Sequence, residues 1–107
     1  MDREILKGSL DIIILSIISN KEIYGYEIAK KINSQMREMY DIGEGTLYTA
    51  LKRLENKKLI NSYWVNQENG KKRKYYRISV EGIKILKKKL NDWNSITSVI
   101  KNCMEGI

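Results

Sequence analysis

A long apolar repeat near the C-terminus sets the first limit on the fold. From Ser79, a predicted helix N-cap, to Met104 the chain has no proline. Residues of the repeat are spaced alternately three and four apart, a heptad pattern in which one position is polar. They are Ile83, Leu86, Leu90, Trp93, Thr97, Ile100 and Met104. A helical residue rises 1.5 Å, so the pattern predicts one helix of roughly 40 Å, too long to bury its far end on a small domain of the same chain.

The composition fits one small domain and excludes most kinds of catalytic and metal-binding site. With 107 residues the chain has room for about one core. It has no histidine and one cysteine, Cys103, which removes His-based triads, Cys/His zinc sites and an internal disulfide. We therefore predict a protein that is not an enzyme and that uses no metal or cofactor. Burial of Cys103 in an interface is the favoured interpretation, and redox sensing is the alternative.

Neither a membrane span nor a signal peptide is apparent. The longest apolar stretch, Ile12 to Ile18, includes a serine and is much shorter than the roughly 20 residues of a span. The N-terminal residues lack the basic flank and cleavage site of a signal peptide. These features predict a cytoplasmic protein without a membrane partner.

Positive charge is concentrated in the middle of the chain. Residues 52–89 carry 13 basic and 3 acidic side chains, whereas residues 1–51 carry 6 and 8. The formal net charge is +7. Solvated lysines explain any single member, but the cluster favours a polyanionic partner such as nucleic acid.

The first helix, predicted over residues 3–19, has more apolar surface than one small core can cover. Its main stripe consists of Leu6, Leu10, Ile13, Ile14, Ile17 and Ile18. In a helical projection Ile12 and Leu15 point away from this stripe. The surplus predicts a second apolar contact, and we expect a homodimer formed by the first and last helices.

Two shorter helices follow and predict a helix-turn-helix. The first has Ile28, Ala29, Ile32 and Met36 at helical spacing, and the second runs from about Glu44 to Lys57. Several side chains of the second helix lie outside its apolar stripe and can bond phosphates or base edges. They are Thr46, Tyr48, Thr49, Lys52 and Arg53. This helix alone is compatible with either a recognition helix or an ordinary solvated face.

A basic β-hairpin completes the predicted domain. Residues 59–65 and 74–78 are rich in β-branched and aromatic side chains, and the Asn69-Gly70 pair between them is a strong hairpin signal. Four consecutive basic residues follow the turn, namely Lys71, Lys72, Arg73 and Lys74. The order predicts a mainly α fold with a small β-hairpin: a winged helix-turn-helix domain over residues 1–78 and a long C-terminal dimerisation helix over residues 79–107. In such a module the third helix enters the major groove and the hairpin follows the backbone or minor groove.

Four residue strings resemble those of the PadR family of bacterial transcriptional regulators. They are LKGSL at 6–10, YGYEI at 24–28, EGTLYTALKRLE at 44–55 and RKYYRIS at 73–79. Together they cover the chain from about Ile5 to Trp93. The short C-terminal region resembles the subfamily that includes lactococcal multidrug-sensing repressors.

The resemblance implies a winged-helix dimer that binds inverted repeats in double-stranded DNA, usually as a repressor relieved by a small ligand. It implies that Thr46, Tyr48, Thr49 and Lys52 contact DNA from the recognition helix. The wing contacts that it implies are Lys72, Arg73 and Lys74. The chain lacks the proline often found after Tyr48 and in the wing of the family.

Trp93 is the residue through which the resemblance implies a ligand. In the multidrug-sensing repressors a tryptophan at the matching position lines a pore at the dimer centre, where flat aromatic compounds stack between the two indoles. The same alignment implies that the pore is lined by Gly8, Asp11, Ile12, Leu15, Ile96 and Thr97. An acidic group such as Asp11 favours cationic ligands. The alternative is that Trp93 only packs in the dimer interface.

These patterns predict a dimeric, sequence-specific DNA-binding repressor with a flat aromatic or cationic effector. The alternative function is a protein-interaction adaptor with a winged-helix fold that lacks specific DNA recognition. The two functions differ in their preference for an operator over random duplex at one salt concentration.

Overall fold

Four helices and three short strands make up the computed structural model, which describes residues 1–106. In chain order they are α1 (Arg3–Asn20), β1 (Ile23–Tyr24), α2 (Gly25–Met36), α3 (Glu44–Asn56), β2 (Ile60–Asn66), β3 (Lys72–Ile78) and α4 (Val80–Glu105). This is the expected winged-helix order with a long C-terminal helix. The division into residues 1–78 and 79–107 stays a prediction, and its final residue lies outside the described ones.

Side-chain caps fix the beginnings of the first and last helices. The carboxylate of Asp2 accepts hydrogen bonds from the backbone amides of Glu4 and Ile5, at 2.8 and 3.2 Å. The hydroxyl of Ser79, the predicted N-cap of the last helix, accepts from the Gly82 amide at 3.0 Å. Each cap satisfies amide donors that the helix itself cannot pair.

The core forms around α1, which contacts α2, α3, α4 and β3. Ile14, Leu15 and Ile18 of α1 are almost completely buried, together with Ile28 and Leu54 of the neighbouring helices. Leu15, which was predicted to point away from the main stripe towards a second apolar contact, is buried in this same core. Because packed elements surround α1 on more than one side, its apolar surplus is partly covered within the protomer.

The sheet has one strand more than the predicted hairpin. β2 and β3 form an antiparallel pair in which Ser62 lies opposite Tyr76, and β1 pairs with the other edge of β3. Ile23 of β1 is buried. The two-residue strand thus anchors the start of α2 to the wing.

Close approach of backbones fixes the start of α4. A Cβ atom at Gly82 would lie 2.1 Å from the Leu59 carbonyl oxygen, so a residue without a side chain is needed there.

Leu86 of α4 is buried, whereas every residue from 91 to 106 is exposed. The protomer measures 62 × 32 × 20 Å, because the second half of α4 projects beyond the domain. No helix within residues 1–106 combines the length and apolar character that a membrane crossing requires.

Candidate nucleic-acid interface

The exposed face of α3 carries the five side chains selected from the sequence. Thr46, Tyr48, Thr49, Lys52 and Arg53 are all exposed, while the opposite side of the helix is buried. The buried side consists of Leu47, Ala50, Leu51 and Leu54. Burial of one face against the domain therefore leaves hydroxyl, phenol and cationic groups pointing outward.

A shallow depression on α3 adds two residues that the sequence reasoning missed. Asn56 and Lys57 line it together with Tyr48, Thr49, Lys52 and Arg53. Asn56 lies one helical turn after Lys52, so its position on this face could have been found from helical spacing. Its amide can both donate to and accept from base edges or phosphates.

A well-formed turn presents the wing lysines. Gly70 has φ +81°, which favours glycine, and its amide donates to the Gln67 carbonyl at 3.0 Å. The Asn69 side chain accepts from the Lys71 amide at 3.0 Å. Lys71 and Lys72 are exposed beside this turn.

The other two basic wing residues lie on opposite faces of the sheet, as strand alternation requires. The guanidinium of Arg73 lies 4.4 Å from the centre of the Tyr24 ring on the outer face. On the inner face, Nζ of Lys74 lies 4.0 Å from Oε1 of Glu55, a residue of α3. Arg73 and Lys74 thus have partners within the chain. Lys71, Lys72 and Arg73 are exposed, whereas Lys74 is half-buried.

Trp64, on the inner face of the wing, is a further exposed residue that was not predicted from the sequence. Its side chain is 63% exposed although it lies across the strands from Lys74, whose Nζ is 5.8 Å from the ring centre. Because Lys74 contacts Glu55 of α3, Trp64 is on the α3 side of the sheet.

Tyrosine rings pack together on the outer face of the sheet. Tyr75 packs against Tyr24 and Tyr63 with ring centres 5.7 and 5.9 Å apart. The Tyr63 hydroxyl donates to the Glu22 carboxylate at 2.6 Å, and this hydrogen bond raises the pKa of Tyr63. Burial raises the pKa of Tyr76 on the inner face. Both groups therefore remain neutral phenols at neutral pH.

The α1 and α4 residues that the resemblance associates with a ligand are only partly gathered. Trp93 and Ile12 line one apolar cavity of about 280 Å³, which is also lined by Ile5 and Leu90. Ile96 and Thr97 are exposed on α4 one turn further on, and Gly8 is exposed on α1. Leu15 has no accessible surface, so it cannot contact a ligand from outside the protomer.

Asp11 has a partner other than a ligand. Its carboxylate accepts a hydrogen bond from the guanidinium of Arg53 on α3. The carboxylate is therefore already paired with a cation of the same chain.

The chain matches a known protein family and a bacterial relative over most of its length. Residues 14–88 match the family model described as the transcriptional regulator PadR-like family. The chain is 39% identical over 104 residues to a Lysinibacillus sphaericus protein described as uncharacterized, covering 97% of this chain and 95% of that protein.

Solved structures agree in fold over nearly the whole chain. A transcriptional regulator from Clostridium thermocellum is 41% identical with a TM-score of 0.85, covering 95% of this chain and 96% of the other. A PadR-like transcriptional regulator from Bacillus cereus is 35% identical with a TM-score of 0.82, covering 97% and 99%. A PadR family transcription regulator from Clostridium difficile is 45% identical with a TM-score of 0.76, covering 90% and 98%.

Proposed function

Because the chain belongs to the PadR-like family of transcriptional regulators, we propose that it is a homodimeric repressor that binds an inverted repeat in double-stranded DNA. The main support is the exposed polar face of α3 beside the basic wing. In this arrangement α3 enters the major groove, where Thr46, Tyr48, Thr49 and Lys52 reach base edges and phosphates. The wing tip, with Lys71 and Lys72, follows the backbone or the adjacent minor groove.

The exposed apolar surface of α4 supports the dimer. Trp93, Ile96, Ile100 and Met104 are between 48% and 66% exposed in the protomer. Ile5 of α1 adds to the same surface beside the apolar cavity. Contiguous apolar surface of this kind marks an interaction site, and a second copy related by a two-fold axis buries it symmetrically. The two-fold axis also matches the symmetry of an inverted repeat. Half-sites separated by one turn of the DNA helix lie about 34 Å apart, centre to centre.

The test of DNA recognition is selection of a preferred duplex from a randomised pool by the purified full-length protein. Its affinity is then compared with that for a scrambled duplex of equal length and composition over a series of salt concentrations. We expect a preference of at least about a thousandfold at physiological salt. Binding that depends on salt but shows no sequence preference would contradict the proposal and favour the adaptor function.

We further propose that a flat aromatic ligand acts through Trp93. The indole is 48% exposed and borders an apolar cavity of about 280 Å³. In a dimer two such indoles facing each other would provide a slot with aromatic walls. The ligand regulates only if it binds one spacing of the two α3 helices more tightly than another.

Trp64 complicates the ligand test because it is a second, exposed tryptophan. The variant Trp64→Phe leaves Trp93 as the only tryptophan, so that its fluorescence can be followed during titration with flat cationic dyes and phenolic acids. We expect saturable quenching of Trp93 and a weaker operator complex when the ligand is present. In Trp93→Ala the same ligand should no longer weaken the operator complex. Intact operator binding without any quenching would instead assign Trp93 to packing alone.

A further inference from the structure

An ion pair connects the candidate recognition helix to α1. Nη2 of Arg53 on α3 donates to Oδ1 of Asp11. The Asp11 side chain is 19% exposed and that of Arg53 is 43% exposed. The carboxylate is therefore the sheltered partner, and the guanidinium is the accessible one.

The position of Asp11 is unfavourable for nonspecific binding of DNA. A carboxylate beside a surface that receives phosphates repels them, and charge neutralisation dominates the nonspecific affinity for duplex DNA. Packing of α1 against α3 does not itself need an acid, because both helices contribute apolar side chains such as Leu10, Ile14 and Leu54 to the buried core. An acid at this position therefore calls for a local explanation.

We propose that Asp11 is a positioning residue that holds the guanidinium of Arg53 in one orientation for the DNA operator. This inference rests on the proposed function. A guanidinium presents five N–H donors in a rigid planar fork. Within residues 1–106 the hydrogen bond to Asp11 is its sole side-chain bond, which leaves the other donors free for DNA.

Arg53 lies at the edge of the candidate recognition surface. It lines the same depression as Thr49, Lys52 and Asn56, and all four are exposed. A long arginine side chain loses rotamer freedom when it binds, so an orientation already fixed by a carboxylate reduces that loss. This smaller entropy loss strengthens binding only to a DNA sequence that places a hydrogen-bond acceptor in line with the oriented guanidinium of Arg53.

Specific and nonspecific binding should consequently respond to Asp11 in opposite directions. Random duplex responds mainly to net charge, so loss of the carboxylate strengthens its binding. The operator also depends on the orientation of Arg53, so loss of the carboxylate weakens that contact. A purely structural role for Asp11 would not produce this opposite response.

The experiment compares Asp11→Asn with the wild type in the intact protein. The probes are the duplex selected by the wild type and its scrambled counterpart. We expect tighter binding of scrambled duplex and a loss of about tenfold in operator preference, the effect of one well-oriented arginine contact. The control is Asp92→Asn, which removes the same charge from the Lys88–Asp92 ion pair of α4 and should leave the preference unchanged. An unchanged preference in Asp11→Asn overturns the inference, whereas absence of preference in the wild type overturns the proposed function as well.

A second variant tests whether Asp11 acts through Arg53. Arg53→Lys keeps the charge but removes the planar fork, so operator preference should fall while the affinity for scrambled duplex is retained. The double variant should lose little more preference than Arg53→Lys alone, because the two residues act as one unit. Additive losses, or an unchanged preference in Arg53→Lys, overturn the inference. Arg53→Lys decides the question by itself if thermal unfolding shows that Asp11→Asn does not fold.

Discussion

Lys74 on β3 and Glu55 on α3 are joined by an ion pair, with 4.0 Å between Nζ and Oε1. The Glu55 carboxylate also accepts a hydrogen bond from the Ser62 hydroxyl on β2. One acidic side chain of α3 therefore contacts both long strands of the wing. These two contacts link the wing to α3 within the chain.

The wing lysines should differ in their effect on DNA binding. Lys72→Ala removes an exposed cation from each chain of the proposed dimer, so it should weaken operator and scrambled duplex alike and reduce the slope of log affinity against log salt by about two. Lys74→Ala removes a cation paired with Glu55, so its effect on that slope should be smaller. Fluorescence anisotropy over a salt series measures both slopes. Equal slopes for the two variants would contradict the assignment.

The apolar face of α4 should control the oligomeric state. Ile100→Glu places a charge on the exposed apolar surface and should convert the proposed dimer into monomers, because burying an unpaired carboxylate in the interface costs several kcal/mol. Asn102→Glu introduces the same charge at an exposed position two residues later, away from the heptad seam. Sedimentation velocity should therefore show monomers only for Ile100→Glu. Dimers in both variants would place the interface elsewhere.

Gly82 should be intolerant of a side chain. The methyl group of Gly82→Ala would meet the Leu59 carbonyl oxygen at 2.1 Å, and overpacking against backbone lowers the free energy of unfolding by about 3 kcal/mol or more. Gly45→Ala is the matched control, because its added methyl meets nothing within 4 Å in a helix. The control should raise the free energy of unfolding by up to about 1 kcal/mol. Urea unfolding of both variants provides the comparison, and equal effects would refute the close approach.

Tyr76 should make the fold sensitive to alkali. Burial raises the pKa of its hydroxyl above the ordinary value of 10.0, so the folded state favours the neutral phenol. The corresponding contribution to the free energy of unfolding is complete below about pH 10 and is lost as the pH rises through the folded-state pKa. Tyr76→Phe cannot ionise and should show a smaller loss of unfolding free energy between about pH 9 and 11. An identical alkaline loss in wild type and variant, measured by urea unfolding, would disprove this role.

Local signals in the sequence predicted most of the fold. The apolar repeats located all four helices, Ser79 was recognised as the N-cap of α4, and the Asn69-Gly70 pair located the turn between β2 and β3. Each of these signals acts over a few neighbouring residues. β1 was missed because Ile23 and Tyr24 are too few to show an alternating pattern.

Contacts between distant residues were beyond the reach of the same reasoning. Leu15 was assigned to a second apolar contact because a helical projection cannot show that α1 is surrounded within the chain on more than one side. Asp11 and Arg53 are separated by 42 positions, and no periodicity links them. The sequence therefore predicted the cations of the candidate interface but not which of them already have partners.

The fixed start of α4 turns that helix into a lever. Its first half is held on the domain at Gly82 and Leu86, and the exposed residues 91–105 extend for roughly 22 Å at 1.5 Å per residue. A tilt of about 5° where this part begins moves its far end by roughly 2 Å. Conversely, a shift of that size where the far end is held reorients the whole head that carries α3. Hydrogen bonds tolerate errors of only about 0.5 Å, so motion of a few ångströms at the remote end of α4 is enough to misalign the side chains of α3.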